Sequence, residues 1–189
     1  MKKIVFLALF IASGLTLQSC GSEKKDSTEK AEELNEKKED ANTAMVDDDD
    51  AEFAVKAANG GMLEVEAGRM AAEKGASQAV KDFGSMMVQD HSKANDELKS
   101  IAELKNIAIP STVGEDMQEH LNDLSKVSGA EFDKKYVDMM VKDHEDDVKA
   151  FTKEAEEGKD AELKAFAAKT ATVVKGHLEK ITTIQKNMK

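Results

Sequence analysis

Three histidines of the chain are spaced so that they could bind a ligand together. His91, His144 and His177 each fall on the apolar face of a helical sequence pattern, in which residues three and four apart share one face. Imidazoles from several helices, joined by a carboxylate such as that of Glu66, are typical ligands of zinc or iron. The first two histidines also follow an inward methionine by four residues, and methionine sulfur beside imidazole favours Cu(I). These four residues are the candidate metal ligands.

A purely structural role explains the same histidines and is the favoured interpretation. Buried imidazoles can hydrogen-bond across a helical bundle, for example to Asn59, to Thr170 or to a buried water. The methionines, in turn, can fill gaps in a core that has few aromatic side chains. The fourth histidine, His120, lies in a short helical segment and is expected at the periphery.

The positions of the candidate ligands along the helix axes argue against one of them, Glu66. Counted from the turn between the first two helices, Glu66 and His91 differ by about 10 Å in height, whereas His144 and His177 differ by about 7 Å from the second turn. Long side chains can bridge the smaller difference. Di-iron sites of ferritin-like bundles also need several inward glutamates and Glu-x-x-His pairs, and the sequence has no such pair. A ferritin-type oxidase is therefore disfavoured.

The chain from Ala51 onward shows the apolar period of amphipathic helices, interrupted by glycines and by the single proline. Ala, Glu, Lys, Met and Leu dominate this region, and all are good helix formers, so an all-α fold is predicted. The predicted long helices run from about Glu52 to Lys74, from Ser77 to before Pro110, from Phe132 to Gly158 and from Leu163 to Met188, with a short helix from Ser111 to Lys126 between the second and the third.

The connections between the helices predict the type of bundle. Tight glycine-containing turns join the first long helix to the second and the third to the fourth, so each pair is antiparallel. More than twenty residues, including the short helix, separate the second and third long helices, which is enough to travel back along the bundle. These two helices would then run parallel, as in a ferritin-like four-helix bundle with a crossover. An up-and-down bundle with a decorated loop is the alternative.

The N-terminal residues match a lipoprotein signal. Residues 1–19 combine two early lysines, an apolar stretch too short to span a bilayer, and a Leu-Gln-Ser triplet immediately before Cys20. Cys20 is the only cysteine of the chain, so it can form no intramolecular disulfide. We expect Cys20 to become the acylated first residue of the mature protein. Its acyl chains would then anchor the protein to the membrane, since two or more chains are enough for stable anchoring. An ordinary signal peptide followed by a chance cysteine is the alternative.

Residues 20–50 are predicted to be the lipidated cysteine and a disordered, charged tether, with the helical domain over 51–189. The tether has almost no large apolar side chains and so cannot bury enough surface to fold. Random-coil scaling gives it a reach of roughly 30 Å. Its last four residues, Asp47 to Asp50, are expected to cap the first helix and to interact with its dipole. A calcium site there is disfavoured because no Asx–Gly loop spacing is present.

Composition and motifs exclude several function classes from the prediction. The 38 acidic and 27 basic residues give a formal net charge of −11, and so acidic a protein is repelled by nucleic acid. The sequence has no phosphate-cradling glycine loop, nucleophile–base pair or paired-acid motif, so no enzyme activity is expected. A metal-dependent redox activity is the one catalytic hypothesis left open.

One segment of the chain is repeated. Phe83–His91 and Tyr136–His144 share an aromatic residue, Met-Met-Val and Asp-His at the same offsets. With these segments, residues 53–188 resemble the bacterial domain of unknown function numbered four-one-four-two, found in secreted and lipid-anchored proteins. The resemblance implies a ferritin-like helical bundle and brings no established activity. The segment before His177 lacks the proline expected there, which implies a straighter last helix. Further matching stretches are Ala57–Ala71, Lys93–Leu98, Phe132–Tyr136, Lys164–Thr170 and Gly176–Leu178.

Two functional hypotheses follow. The favoured one is a non-enzymatic cell-envelope lipoprotein, held to the membrane by its lipid alone, whose acidic domain is an interaction or stress-related module. It assigns no certain cofactor, no nucleic-acid partner and no particular protein partner, and places the domain on the periplasmic or the surface face of the outer membrane. The competing hypothesis is a ferritin-like bundle that binds zinc, iron or copper through His91, His144 and His177.

Overall fold

The computed structural model describes residues 25–188, and this part of the chain is helical throughout, with no strand. The prediction of an all-α fold is therefore confirmed. No helix within the described range combines the length and the apolarity that crossing a membrane requires. The helices are α1 (Ser27–Asp40), α2 (Asp48–Lys74), α3 (Gln78–Leu104), α4 (Glu115–Ser125), α5 (Gly129–Glu157) and α6 (Ala161–Asn187).

Three of the long helices begin at capping side chains that the sequence places there. Asp47 before α2, Ser77 before α3 and Asp160 before α6 each accept a hydrogen bond from a backbone N–H of the first turn. The expectation that the run of aspartates caps the first long helix is thus confirmed for Asp47. Because Asp47 is the cap, α2 begins at Asp48, four residues earlier than expected.

Helix α1 differs from the expectation of an unstructured tether. Asp26 and Glu29 form a capping box at its start, in which each side chain bonds the backbone of the other residue. Asn35 lies buried and bonds both backbone groups of Ala108, at 2.9 Å to the carbonyl oxygen and 2.7 Å from the N–H. Polar bonds to another part of the chain therefore hold this helix, with only Ala31 as a buried apolar residue.

The short helix α4 begins at Glu115, not at Ser111 as predicted. The backbone N–H groups of Ser111 and Thr112 both donate to the hydroxyl oxygen of Ser27, at 3.0 and 3.2 Å. The N–H of Glu115 donates to the second carboxylate oxygen of Asp26, at 2.9 Å. The segment before α4 is therefore bound to the start of α1, which delays the helix by one turn.

Two buried aspartates fix the relative directions of the long helices. Asp133 in the first turns of α5 accepts hydrogen bonds from Ala76 N and Ser77 N in the α2–α3 turn, both at 2.8 Å. Asp50 in the first turn of α2 accepts from Lys159 N and Asp160 N in the α5–α6 turn, at 3.0 and 2.6 Å. Each hairpin thus begins beside the turn of the other, so α3 and α5 start at the same end and run parallel.

The apolar core consists of two clusters with histidines between them. On α3, His91 lies between Met87 of one cluster and Leu98 of the other, and on α5, His144 lies between Met140 and Phe151 in the same way. His177 on α6 occupies the corresponding place between Ala171 and Ile181. The three histidines therefore lie at one level of the domain, which we call the histidine layer.

Candidate metal centre

The histidine layer brings together residues that are far apart in the sequence. His91, His144 and His177 come from α3, α5 and α6, and all three residues are buried. One ring nitrogen from each lies within 4.8 Å of those of the other two. The ring centroids are 5.3 to 5.7 Å apart. The structure thus places the three predicted histidines in a single cluster at the spacing that a shared ion requires.

Each imidazole uses one nitrogen to bond the protein. Nδ1 of His144 donates to the main-chain oxygen of Met140 at 2.9 Å, and Nε2 of His177 donates to a carboxylate oxygen of Asp90 at 2.9 Å. Nδ1 of His91 lies 2.7 Å from Oε2 of Glu64. Bonds of this kind fix the orientation and the tautomer of a histidine, and metal-bound histidines nearly always have them.

The opposite nitrogen of each ring has no hydrogen-bond partner among residues 25–188. These atoms are Nε2 of His91, Nε2 of His144 and Nδ1 of His177, and all three are buried. A buried polar atom without a partner costs free energy, so such atoms are rare in folded proteins. Three such nitrogens in one cluster make the histidine layer a candidate ligand site.

The protonation of the histidines suits a metal. Burial, followed by the adjacent imidazoles of His91 and His177, lowers the pKa of His144 to about 3. Burial also lowers the pKa of His91 and of His177. The rings are therefore neutral at neutral pH, which is the form in which imidazole binds a metal ion.

Two carboxyl groups complete the centre. Glu64 on α2 is 2% exposed, and its Oε1 is another buried atom without a partner in the described part of the chain. Glu64, Asp147 and His144 form a second set of possible ligand atoms within 4.8 Å of one another. Burial raises the pKa of Glu64 to about 8, and the nearby Asp143 adds to this effect. Burial and the charge of Glu64 also raise the pKa of Asp147 well above its usual range.

A small cavity adjoins the carboxyl groups. It has a volume of about 10 Å³ and is lined in part by Glu64, His91, Asp147 and Thr170. A volume of this size holds roughly one water molecule or one ion. The room for a single small occupant therefore lies on the side of the centre formed by His91 and the two carboxyl groups, and His144 and His177 do not line it.

Glu66, the carboxylate suggested by the sequence, is not brought to the histidines. Its side chain is 47% exposed and pairs with Arg69 one turn further along α2. Glu64 and Glu66 are two steps apart, which is about 200° around the helix, so their side chains point in nearly opposite directions. Counting from the same turn places Glu64 about 7 Å from the level of His91, so the height argument used against Glu66 identifies Glu64 as the better partner.

The structure does not pair the histidines with Asn59 or Thr170, the partners that the sequence suggested. Asn59 accepts a hydrogen bond from the backbone of Gly114 at 2.8 Å and so supports the start of α4 instead. Thr170 lies at the edge of the small cavity. His120 is exposed on α4, as expected. Sequence reasoning missed Asp90 and Asp147, although Asp90 directly precedes His91 in the repeated Asp-His pair.

These features define an all-helical domain with a buried histidine–carboxylate centre. The family described as a domain of unknown function (DUF4142) matches residues 35–184, and the chain belongs to this family. The match begins within α1 and includes every residue of the centre. No curated protein and no solved structure was found to match the chain.

Proposed function

We propose that the domain binds one divalent transition-metal ion through His91, His144 and His177. The observation that carries the proposal is the buried cluster of three imidazoles: one ring nitrogen of each lies within 4.8 Å of those of the other two, and each ring has one nitrogen without a hydrogen-bond partner among the described residues. Each ring is already oriented by a bond from its other nitrogen, so little reorganisation is needed for binding. Glu64 or a water molecule would supply a fourth ligand.

The donor set favours zinc or ferrous iron over copper. Imidazole and carboxylate ligands suit both metals, and three protein ligands plus one exchangeable position is a common zinc geometry. Cu(I) prefers sulfur ligands. The two methionines that precede histidines by one turn, Met87 and Met140, are buried as members of the apolar cluster. We therefore take zinc as the probe and treat tighter Cu(I) binding as evidence against this preference.

The remaining parts of the functional proposal concern the setting of the site. We propose that α2, α3, α5 and α6 form a ferritin-like four-helix bundle, supported by the parallel course of α3 and α5 that Asp50 and Asp133 indicate. We also propose that the protein is a non-enzymatic envelope lipoprotein acylated at Cys20, supported by the signal-like residues 1–19. The interaction or stress-related role would then depend on metal occupancy.

Elemental analysis of the purified protein tests metal binding. Residues 20–189 with Cys20→Ser, purified without an affinity tag, should contain or take up one zinc ion per chain. His144→Leu and His91→Ala should abolish this stoichiometric zinc. His120→Ala is the matched control, because it removes an exposed histidine of α4 and should leave the zinc content unchanged. A metal-free protein that takes up no zinc, iron or copper would refute the proposal and leave the histidines with a structural role.

Mass spectrometry of the natural protein tests the lipid anchor. An acylated Cys20 should be the first residue of the mature chain, and Cys20→Ser should move the protein from the membrane to the soluble fraction. Finding the cysteine unmodified in the natural protein would remove the envelope part of the proposal without affecting the metal site.

A further inference from the structure

The three histidines differ in how they connect to the surface. His91 is bonded to the buried Glu64, and His144 is bonded to a main-chain oxygen inside its own helix. His177, in contrast, is bonded to Asp90, whose side chain is 36% exposed. Of the groups that hold the histidine layer, the Asp90 carboxylate alone in the described residues combines a direct bond to a ring with access to solvent.

We infer that the metal ion reaches the histidine layer from the α3–α6 face, and that Asp90 receives it and passes it to His177. This inference rests on the proposed metal binding and adds a route and a residue to it. Asp90 offers a negative charge to the incoming cation on the outside and touches a ligand ring on the inside. Nδ1 of His177, the nitrogen on the other edge of that ring, is the partnerless one.

The α3–α6 face is open beside Asp90. A groove of about 520 Å³ runs between the two helices, and Phe83 and Met86 are among the residues that line it. The ring of Phe83 lies 6.2 Å from that of His144 and 6.3 Å from that of His177, between centroids. Phe83 therefore lies both at the groove and beside the histidine layer, and Asp90 follows Met86, another residue of the groove, by one turn of α3.

The opposite side of the centre is more covered. Helix α4 packs on both α2 and α5, and α1 also packs on α2, whereas neither α1 nor α4 packs extensively on α3 or α6. On that covered side Asp143 is only partly exposed, and its Oδ2 is buried without a partner. An ion entering there would have to pass α4, so Asp143 marks the competing route.

Stopped-flow zinc uptake by the full mature chain carrying Cys20→Ser tests the inference. Asp90→Asn removes the charge but keeps an oxygen that can accept the hydrogen bond from His177. We expect zinc association to slow about tenfold, because the charge that attracts the incoming cation is lost. Asp90→Glu, which keeps the charge, should bind at nearly the wild-type rate.

Two matched variants identify the route. Asp82→Asn removes a carboxylate charge that lines the groove itself, on the same helix as Asp90, and it should leave the rates within about twofold of the wild type, as expected for an exposed charge. Asp143→Asn alters the competing side. The inference is overturned if Asp90→Asn leaves association unchanged, if Asp82→Asn slows it equally, or if Asp143→Asn is the variant that slows it. Absence of zinc uptake by the wild type would instead refute the proposed function.

Discussion

The helix turns and the histidine layer both bury polar side chains, but they satisfy them differently. Asp133 and Asp50 are 3% and 1% exposed, and their oxygens accept backbone N–H groups from the two turns. In the histidine layer, each ring has one bonded nitrogen and one without a partner. Burial is therefore common to both regions, and incomplete hydrogen bonding is what distinguishes the histidine layer from the two turns.

The energetic consequences of the two arrangements are opposite. Charge-assisted bonds that backbone N–H groups donate to a buried carboxylate stabilise the fold, because they satisfy donors that burial removes from water. Partnerless ring nitrogens lower the stability of the metal-free protein, and an occupant would recover that free energy. The comparison can be tested by removing each group in turn.

The largest effect is expected for His144→Leu. Loss of one of three nitrogen ligands should lower zinc affinity by about a thousandfold, or about 4 kcal/mol. The metal-free variant should be as stable as the wild type or more stable by about 1 kcal/mol, because leucine removes a buried polar atom that had no partner. Zinc titration and urea unfolding measure the two quantities. A loss of several kcal/mol in the metal-free variant would put His144 in the same structural class as the turn aspartates.

The next largest effect is expected for Asp133→Ala. The change leaves the N–H groups of Ala76 and Ser77 without acceptors, and should lower the free energy of unfolding by about 3 kcal/mol. Asp138→Asn on the same helix is the control, since its exposed ion pair with Lys134 contributes less than about 0.5 kcal/mol. Urea unfolding would contradict the assignment if the two variants were equally stable.

A smaller effect separates the two glutamates of α2. Glu64→Gln should weaken zinc binding by about tenfold, because Glu64 orients His91 and lies within the centre. Glu66→Gln is the matched control and should leave zinc affinity unchanged within about twofold, since its carboxylate faces solvent beside Arg69. Calorimetric titration of both variants decides between them, and equal losses would mean that the carboxylate ligand has been assigned wrongly.

The smallest effect is expected for Glu154. This residue lies beside the α5–α6 turn, like Asp50, but has an unpartnered atom, like the histidines. Its Oε1 is buried without a partner in the described range, and burial, followed by the charge of Asp50, raises its pKa to about 7. Asp160 and Asp49 add to this rise, and Lys164 opposes it. A pKa above the ordinary glutamate value of 4.5 means that the unfolded chain loses this proton first as the pH rises.

The free energy of unfolding should therefore fall as the pH increases from 4.5 towards 7. Glu154→Gln should remove on the order of 1 kcal/mol of this change, since one pKa unit corresponds to about 1.4 kcal/mol and the carboxyl is not fully dehydrated. Unfolding in urea at about pH 5 and about pH 8 measures the difference. An unchanged pH dependence in the variant would show that the carboxyl is ionised in the folded protein.

Much of the fold follows from local sequence signals. Capping residues, glycines and the apolar period place the long helices to within a few residues, because these signals act within one or two turns. The same period predicts the three inward histidines. Helix α1 could not be predicted in this way, because its stability comes from the bonds of Asn35 and Ser27 to a segment more than seventy residues away.

The sequence pattern predicts only some of the residues of the candidate site. Helical spacing shows that His91, His144 and His177 face inward, but the choice between Glu64 and Glu66 depends on which face of α2 meets α3 and α5. Gly84 settles that contact: a Cβ there would lie 2.6 Å from the main-chain oxygen of Gly68, so the two backbones approach closely along this face. Close approach between distant glycines leaves no periodic signal in a single sequence.

Because α1 is folded, the tether between an acylated Cys20 and the helical domain would be shorter than the sequence suggests. Its cap, Asp26, follows Cys20 by only six residues, and a fully extended chain covers at most about 3.5 Å per residue. A domain anchored at Cys20 could therefore lie no more than about 20 Å from the headgroups, and its α1 end would be held nearest to them. A protein confined so closely would sample its own membrane surface and could not reach across the envelope to an opposing one.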